Sequence, residues 1–437
     1  MRSRILSLFL IFNTLSIHAQ YYLVNFKGVG AATTIDSIRV LNLAQNTSVK
    51  LAETDTLLLA GVVGLPNPQG KASHVKIWPT PSEGDCQFSF YSPTRGNASF
   101  EIFDATGKII FAQTYTMVEG ENSYYLKGLP DGLNILNIIT PKEKIVAKIP
   151  VVNRHTQGTP ELKPTGQRPI LKKSRAIVVM QYNDNEVLLF KAYSGNYARY
   201  QPYIINATQT LYFDFIQCTD IMGNIYPVVR IGTQVWMAGN LKNTYFNNGT
   251  PIPVVEDDNT WKNLTTPALS WYNNNAAQNA YMGAFYNFYA VEGNNICPSG
   301  WRIPTLQDFE QLLVFLQQYG YNYNGINDPD NNPYTNDYTA KALTSRSLWK
   351  SSDVTGAPGN TDYPNYRNRS GFEAFPYGLR NGYTGGFNNL TVTTYFWTQS
   401  VNTNGEAYKI QFFYNNPASM VGPIIKSTGM NVRCIKN

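Results

Sequence analysis

Side chains that usually carry chemistry are few in this chain and poorly spaced for it. Three histidines occur, His18, His74 and His155, and none lies beyond residue 155. The C-terminal part therefore has no imidazole to act as general base or zinc ligand, which excludes most hydrolase triads and zinc sites there. The four cysteines are Cys86, Cys218, Cys297 and Cys434. Cys297 opens a Cys-Pro-Ser-Gly turn rather than a Cys-x-x-Cys pair, so no metal knuckle can be assembled around it. An even count suits disulfides, and four cysteines allow three pairings. Cys297 and Cys434 bracket the last third and are the preferred pair, with Cys86 and Cys218 left as buried thiols on apolar strands. In NDPDNNPYTND, Asp328, Asp330 and Asn332 alternate as the first ligands of a calcium loop do. Pro333 stands where that loop needs glycine and Thr339 where it needs a bidentate glutamate. A solvated acidic loop is the preferred reading, with calcium as the alternative. Glu310, Glu373 and Glu406 have no spacing that singles out a catalytic pair, and NGYTGGFNN lacks the lysine or helix that would make it a phosphate loop. No catalytic residue, metal ligand or cofactor is assigned.

What the chain does have is neutral hydrogen-bonding and aromatic surface. Charged residues make up 15% and aromatics 14%, with 30 tyrosines; an average soluble protein carries about 25% charge. Ring faces can stack on the apolar faces of sugars or polymers while amides bond to hydroxyls. Tyr321, Tyr323, Tyr334 and Tyr383, flanked by Asn, Gly and Asp, are expected to be exposed and to bind. Phe372, Phe375 and Trp397 sit in apolar runs and are expected in the core. The net charge of +6 includes Arg2 and Arg4 and no Lys/Arg block, which argues against nucleic acid.

The elements around these residues fall into blocks. Residues 1–19 have the charged, apolar and small-residue order of a cleavable signal peptide, with cleavage after Ala19. No later run is long or apolar enough to span a bilayer, so the expectation is an extracellular or cell-surface protein without a transmembrane segment. Short alternating runs separated by Glu-Gly, Thr-Gly and Asp-Gly turns predict an all-β sandwich region over 20–151. Residues 152–174, polar with three prolines, read as a linker, and 175–217 as a β-rich connecting segment. The latter echoes YYLVNFKGVG near the N-terminus, which suggests that the two pair in one sheet. Residues 218–437 read as α+β. Tyr281, Ala284, Phe285, Phe288 and Tyr289 recur at helical spacing. A second helix begins at Thr305, with Asp308 closing a capping box, and ends at Gly320; Leu306, Phe309, Leu312, Leu313 and Leu316 form its buried face. Strands in TVTTYFWTQSV, EAYKIQFFY and MNVRCIKN follow.

The order VVRIGTQVWMAGNLK, GAFYNFYAV, ICPSGWRIPTLQDFEQL, GFEAFPYGLR, NVRCIKN closely resembles the Fibrobacter succinogenes major paralogous domain of exported Bacteroidetes and Fibrobacteres proteins. The resemblance covers 218–437 and implies a fold related to C-type lectin-like domains and formylglycine-generating enzymes. Trp301 to Thr305 would then open a framework helix, with Cys297 as a staple. The second copper-binding cysteine of those enzymes is missing, as are the Glu-Pro-Asn, Gln-Pro-Asp and Trp-Asn-Asp calcium tripeptides of sugar-binding lectins, so neither activity carries over. Residues 75–150 resemble a type IX secretion sorting β-sandwich through IWPTPSEGDCQF, IFDATGK and LPDGLNILNI, although Trp-Pro-Thr-Pro replaces the usual Tyr-Pro-Asn-Pro. The expectation is an exported binding or adhesion protein for a glycan or surface polymer. The alternative is an enzyme on a formylglycine-generating-enzyme-like fold.

Overall fold

The computed structural model describes residues 21–61, 75–92, 94–140, 144–152, 159–165, 177–293, 295–330, 332–334 and 337–437. Residues 1–19, read above as a signal peptide, and His74 and His155 lie outside the described residues. The chain is β-rich and forms two compact units, one spanning Leu58–Gln181 with Tyr21 and Tyr22, the other Leu23–Leu57 with Tyr182–Asn437. Among the described residues, no helix is long and apolar enough to cross a membrane.

The first unit contains the β-sandwich that the alternating runs predict. One sheet orders its strands Lys144–Val151, Gly132–Ile139, Gly96–Phe103, Ile109–Met117; the other Glu161–Pro164, Gly120–Lys127, Cys86–Ser92, Lys76–Trp78. Phe88, Phe90, Phe100, Ile102, Tyr124, Leu126, Leu136 and Ile138 meet between them. The polar turn residues satisfy backbone groups: Asp104 Oδ1 accepts from the N–H groups of Thr106 and Lys108. The stretch read as a linker contributes a strand here. Glu161–Pro164 pairs with Gly120–Lys127, and Leu162 enters the core. Four residues are too few for a period to show in the sequence.

In the second unit, Val24–Gly30 of the strand Tyr21–Gly30 pairs in parallel with Gln209–Phe215, Val24 opposite Gln209 and Gly30 opposite Phe215. This is the pairing that the echo between the blocks suggested. A separate eight-stranded sheet runs Trp301–Arg302, Ile435–Lys436, Gln234–Met237, Val228–Ile231, Tyr197–Tyr203, Leu188–Ser194, Ser37–Asn42, Thr47–Leu51. Ser37–Asn42 and Thr47–Leu51, from the block read as N-terminal sandwich, thus share a sheet with the C-terminal residues. A three-stranded sheet of Thr393–Val401, Ala407–Phe413 and Ser419–Ile424 completes the β framework around the long helix.

That helix is Leu306–Gln318. Thr305 accepts from the Asp308 N–H and Asp308 accepts from that of Thr305, the capping box expected. Phe309, Leu312, Leu313 and Leu316 are buried against Trp236, Phe396 and Phe412; Leu306 is only half-buried. Burial alone would raise the Asp308 carboxyl, but the Arg302 guanidinium and the Thr305 N–H and hydroxyl hold it below its ordinary value. A depressed carboxylate stabilises the fold above its unfolded pKa, and the contribution disappears as pH falls through the folded one. Asp308→Asn should therefore cost about 1–2 kcal/mol at pH 7, shrinking below about pH 4. Denaturant titrations of both proteins at several pH values check this.

The aromatic run 281–289 is not one helix. Ala276–Asn279 and Ala280–Met282 are short helical turns, Phe285–Tyr286 pairs with Leu269–Ser270, and Phe288–Val291 is a one-turn helix capped by Asn287. Gly283 breaks the run. It has φ +82°, and a Cβ there would lie 2.4 Å from Asn240 Cβ. Tyr286, off the expected stripe, is fully buried, whereas Tyr281 is 67% exposed.

The two remaining motifs each contain a buried arginine. Arg380 is wholly buried, donates to the carbonyls of Gly385, Val255 and Glu256, and packs on Trp261 and Phe387. Arg433 donates to Asn240 Oδ1 (2.7 Å) and to the carbonyls of Phe372 (2.5 Å), Glu373 (3.0 Å) and Met237 (3.2 Å). Next to it, Cys434 is bonded to Cys297, with S–S 2.07 Å and both residues at 0% exposure. Cys86 and Cys218 are free and buried, and burial raises both thiols, so neither is poised as a nucleophile.

Candidate binding site

The face that the long helix turns away from the core is where a surface site forms. On such a face charge is the usual filling; here Gln307, Gln311, Phe315 and Tyr319 follow one another at four-residue spacing. Phe315 and Tyr319 stack, with ring centroids 4.6 Å apart and planes at 25°. Tyr319 is 63% exposed. The Phe315 ring rests on the hairpin turn at Gly232, where φ is +59° and a Cβ would come within 2.8 Å of the ring. Any other side chain at 232 would displace it.

The ring pair lies where two depressions meet. An open groove of about 740 Å³ runs along Gln307, Glu310, Gln311, Gln318 and the loop residues Asn332 and Tyr334. A second of about 420 Å³ lies toward Thr233 and Gln234 and shares Gln311, Phe315 and Tyr319 with the first. Glu310 is the single charged residue in either lining. Its carboxylate accepts from the Tyr334 hydroxyl. Burial first, and then this hydrogen bond, raise the Tyr334 hydroxyl, so it stays a donor at neutral pH. The arrangement offers one flat aromatic surface bordered by amides, each able to give and take hydrogen bonds.

The four tyrosines expected to bind are dispersed. Tyr334, 55% exposed, lines the larger groove. Tyr383, 72% exposed, lies in the turn between Leu379–Arg380 and Phe387–Asn388. Tyr321 is half-buried near Phe315, with the Arg369 guanidinium over its ring. Tyr323 is half-buried between Tyr338 and Tyr363, and its ring occupies the space that a Cβ at Gly356 would need. Among the described residues, no ring contact joins any of the four to another. Phe372 and Trp397 are fully buried, and Phe375 is partly buried beside Tyr377.

In the 327–337 loop, Asp328 Oδ1 accepts from the Asp330 N–H and Asn332 Oδ1 from that of Tyr334, so these side chains fix turns. Among the described residues, no group of three or more His, Cys, Asp or Glu is placed to hold a metal ion. Glu373 is ion-paired with Lys191 at 2.5 Å, and Glu406 accepts from Asn402.

All of the groove residues, the disulfide and both buried arginines fall within one matched stretch. Residues 229–436 match the Fibrobacter succinogenes major domain. The long helix and its groove thus lie within the stretch that this domain model matches. Residues 76–152 match the secretion system C-terminal sorting domain, which associates the chain with export or the cell surface. That match ends before Glu161–Pro164, the strand that completes the second sheet of the sandwich. No curated protein and no solved structure gives a significant match.

Proposed function

We propose that this is an exported or cell-surface binding protein, and that the groove on the long helix takes a neutral glycan or surface polymer. Residues 218–437 are read as an α+β domain of C-type lectin-like kind, binding without catalysis. The observation that carries the reading is the composition of the groove: a stacked Phe315–Tyr319 pair bordered by Gln307, Gln311, Gln318 and Asn332, with its one carboxylate already engaged. A basic ligand would find only the single counter-charge of Glu310 there, and an anionic one would be repelled by it. Pyranose rings present apolar faces to aromatics and hydroxyls to amides, which is the inventory present.

A binding screen of the purified chain against neutral glycans and anionic surface polymers tests this. The expected hit is a neutral polymer, with affinity unchanged by chelator and little changed by salt. Tyr319→Ala should weaken it about tenfold, equivalent to ~1.4 kcal/mol, and leave the melting temperature unaltered. Binding abolished by chelator, or turnover lost on changing a single carboxylate, would favour the metal or enzyme reading instead.

A further inference from the structure

Sheet edges expose unpaired N–H and C=O groups, and proteins normally protect them with charge, proline or shortness. Three of the four edges in the sandwich follow this rule. Lys76–Trp78 is three residues long; Lys144–Val151 carries Lys144, Lys148 and Pro150; Glu161–Pro164 carries Glu161, Lys163 and Pro164. The fourth, Ile109–Met117, reads IIFAQTYTM. It has nine residues, no charge, no proline and no glycine; among the described residues it pairs on one side only, with Gly96–Phe103, and after a bulge at Ile110 it runs regularly from Phe111 to Met117. Ala112, Gln113, Thr114 and Thr116 are exposed, Ile109 is 53% exposed, and Phe111 and Tyr115 leave the rim of the core half-covered.

We infer that Ile109–Met117 is an interaction edge that pairs antiparallel with the same strand of a second copy of this chain. Its sequence is self-complementary about Gln113. A two-fold axis there sets Gln113 opposite its own copy and Phe111 opposite Tyr115 in both directions. On the other face Ala112 meets Thr114. Aromatic cross-strand pairs are among the stabilising ones, and no like charges meet. A shift by one residue would turn the aromatic rim to the opposite face, so the register is restricted. The interface is isologous and closes as a dimer. One strand pair is smaller than a standard interface, so association depends on concentration.

Sedimentation of the full chain over a concentration series is the test. The mass should rise from one chain to two, and Gln113→Lys, which sets two ammonium groups face to face, should hold it at one with the melting temperature of the dilute protein unchanged. Opposed Cα atoms in antiparallel pairs are about 4.5–5.5 Å apart, within disulfide range. Gln113→Cys should therefore give a covalent dimer on mild oxidation, while Lys148→Cys at the opposite edge of the same sheet should not. A wild-type chain that remains single throughout, a dimer indifferent to Gln113→Lys, or equal cross-linking at 113 and 148 would each overturn the inference.

Discussion

Replacing Cys297 and Cys434 together by alanine is expected to destabilise the unit that contains them by about 5 kcal/mol. The two residues are 137 positions apart in sequence, and the bond closes a ring of that length in the unfolded chain. In the chain-entropy account the stabilisation grows with the logarithm of ring size, so this bond falls near the top of the usual range. Both half-cystines are also core residues, packed with Met237, Trp301 and Val432, and the Met237 sulfur accepts from the Cys434 N–H. Truncation therefore removes packing as well as the ring. Urea titration of the wild type with and without reductant, and of the double variant, should show a loss in both cases, larger in the variant because alanine also removes the packing; Cys86 and Cys218 form no bond that reductant could break. A loss below about 1 kcal/mol would mean that the reduced chain keeps the ends of the ring together by other contacts.

The sequence shows some of this architecture directly and hides the rest for identifiable reasons. The long helix is legible because its cap, Thr305 and Asp308, and its apolar face are local patterns, complete within fourteen residues of chain. The disulfide is legible because the compartment and the positions of the cysteines leave few choices. The run 281–289 misleads because its aromatics keep helical spacing, while Gly283 passes so close to Asn240 and Leu241 that the chain must turn there. That approach is a tertiary fact. The groove is half-legible. Gln307, Gln311, Phe315 and Tyr319 form a stripe that could be read from spacing alone, but attention to the buried face passes over it. Tyr321 and Tyr323 have the Asn- and Gly-rich neighbours of exposed residues, yet Arg369 and Gly356 give them packing partners from distant parts of the chain. Arg380 and Arg433 are the least legible of all. In a chain so poor in charge they look like solvated positions, and only the fold shows backbone carbonyls from two separate segments converging on each.

Arg433→Met is expected to cost about 3–5 kcal/mol, the range for removing one member of a buried, fully bonded polar network. Methionine fills a similar volume but donates nothing. The carbonyls of Phe372, Glu373 and Met237 and the Asn240 amide oxygen would all lose a charged donor. Phe372 and Phe396 would lose the guanidinium that lies over their rings at 4.8 and 5.3 Å. Burial draws Arg433 down to about 10, with Glu373 opposing the shift, so it remains charged at neutral pH and the desolvation cost is already met in the native state. Glu373 keeps Lys191 as an ion-pair partner, which limits the damage to the donor side. Arg199 provides the internal control. It is equally buried, at 3% exposure, but among the described residues its Nε and Nη1 have no hydrogen-bond partner. Arg199→Met should therefore change stability by no more than about 1 kcal/mol, and can raise it, because an unsatisfied buried cation is removed. Guanidinium titrations of the two variants compare the sites directly, and hydrogen exchange of the 372–378 backbone should accelerate only in the first. Equal losses at 433 and 199 would mean that volume, not bonding, decides the stability of buried arginine in this protein.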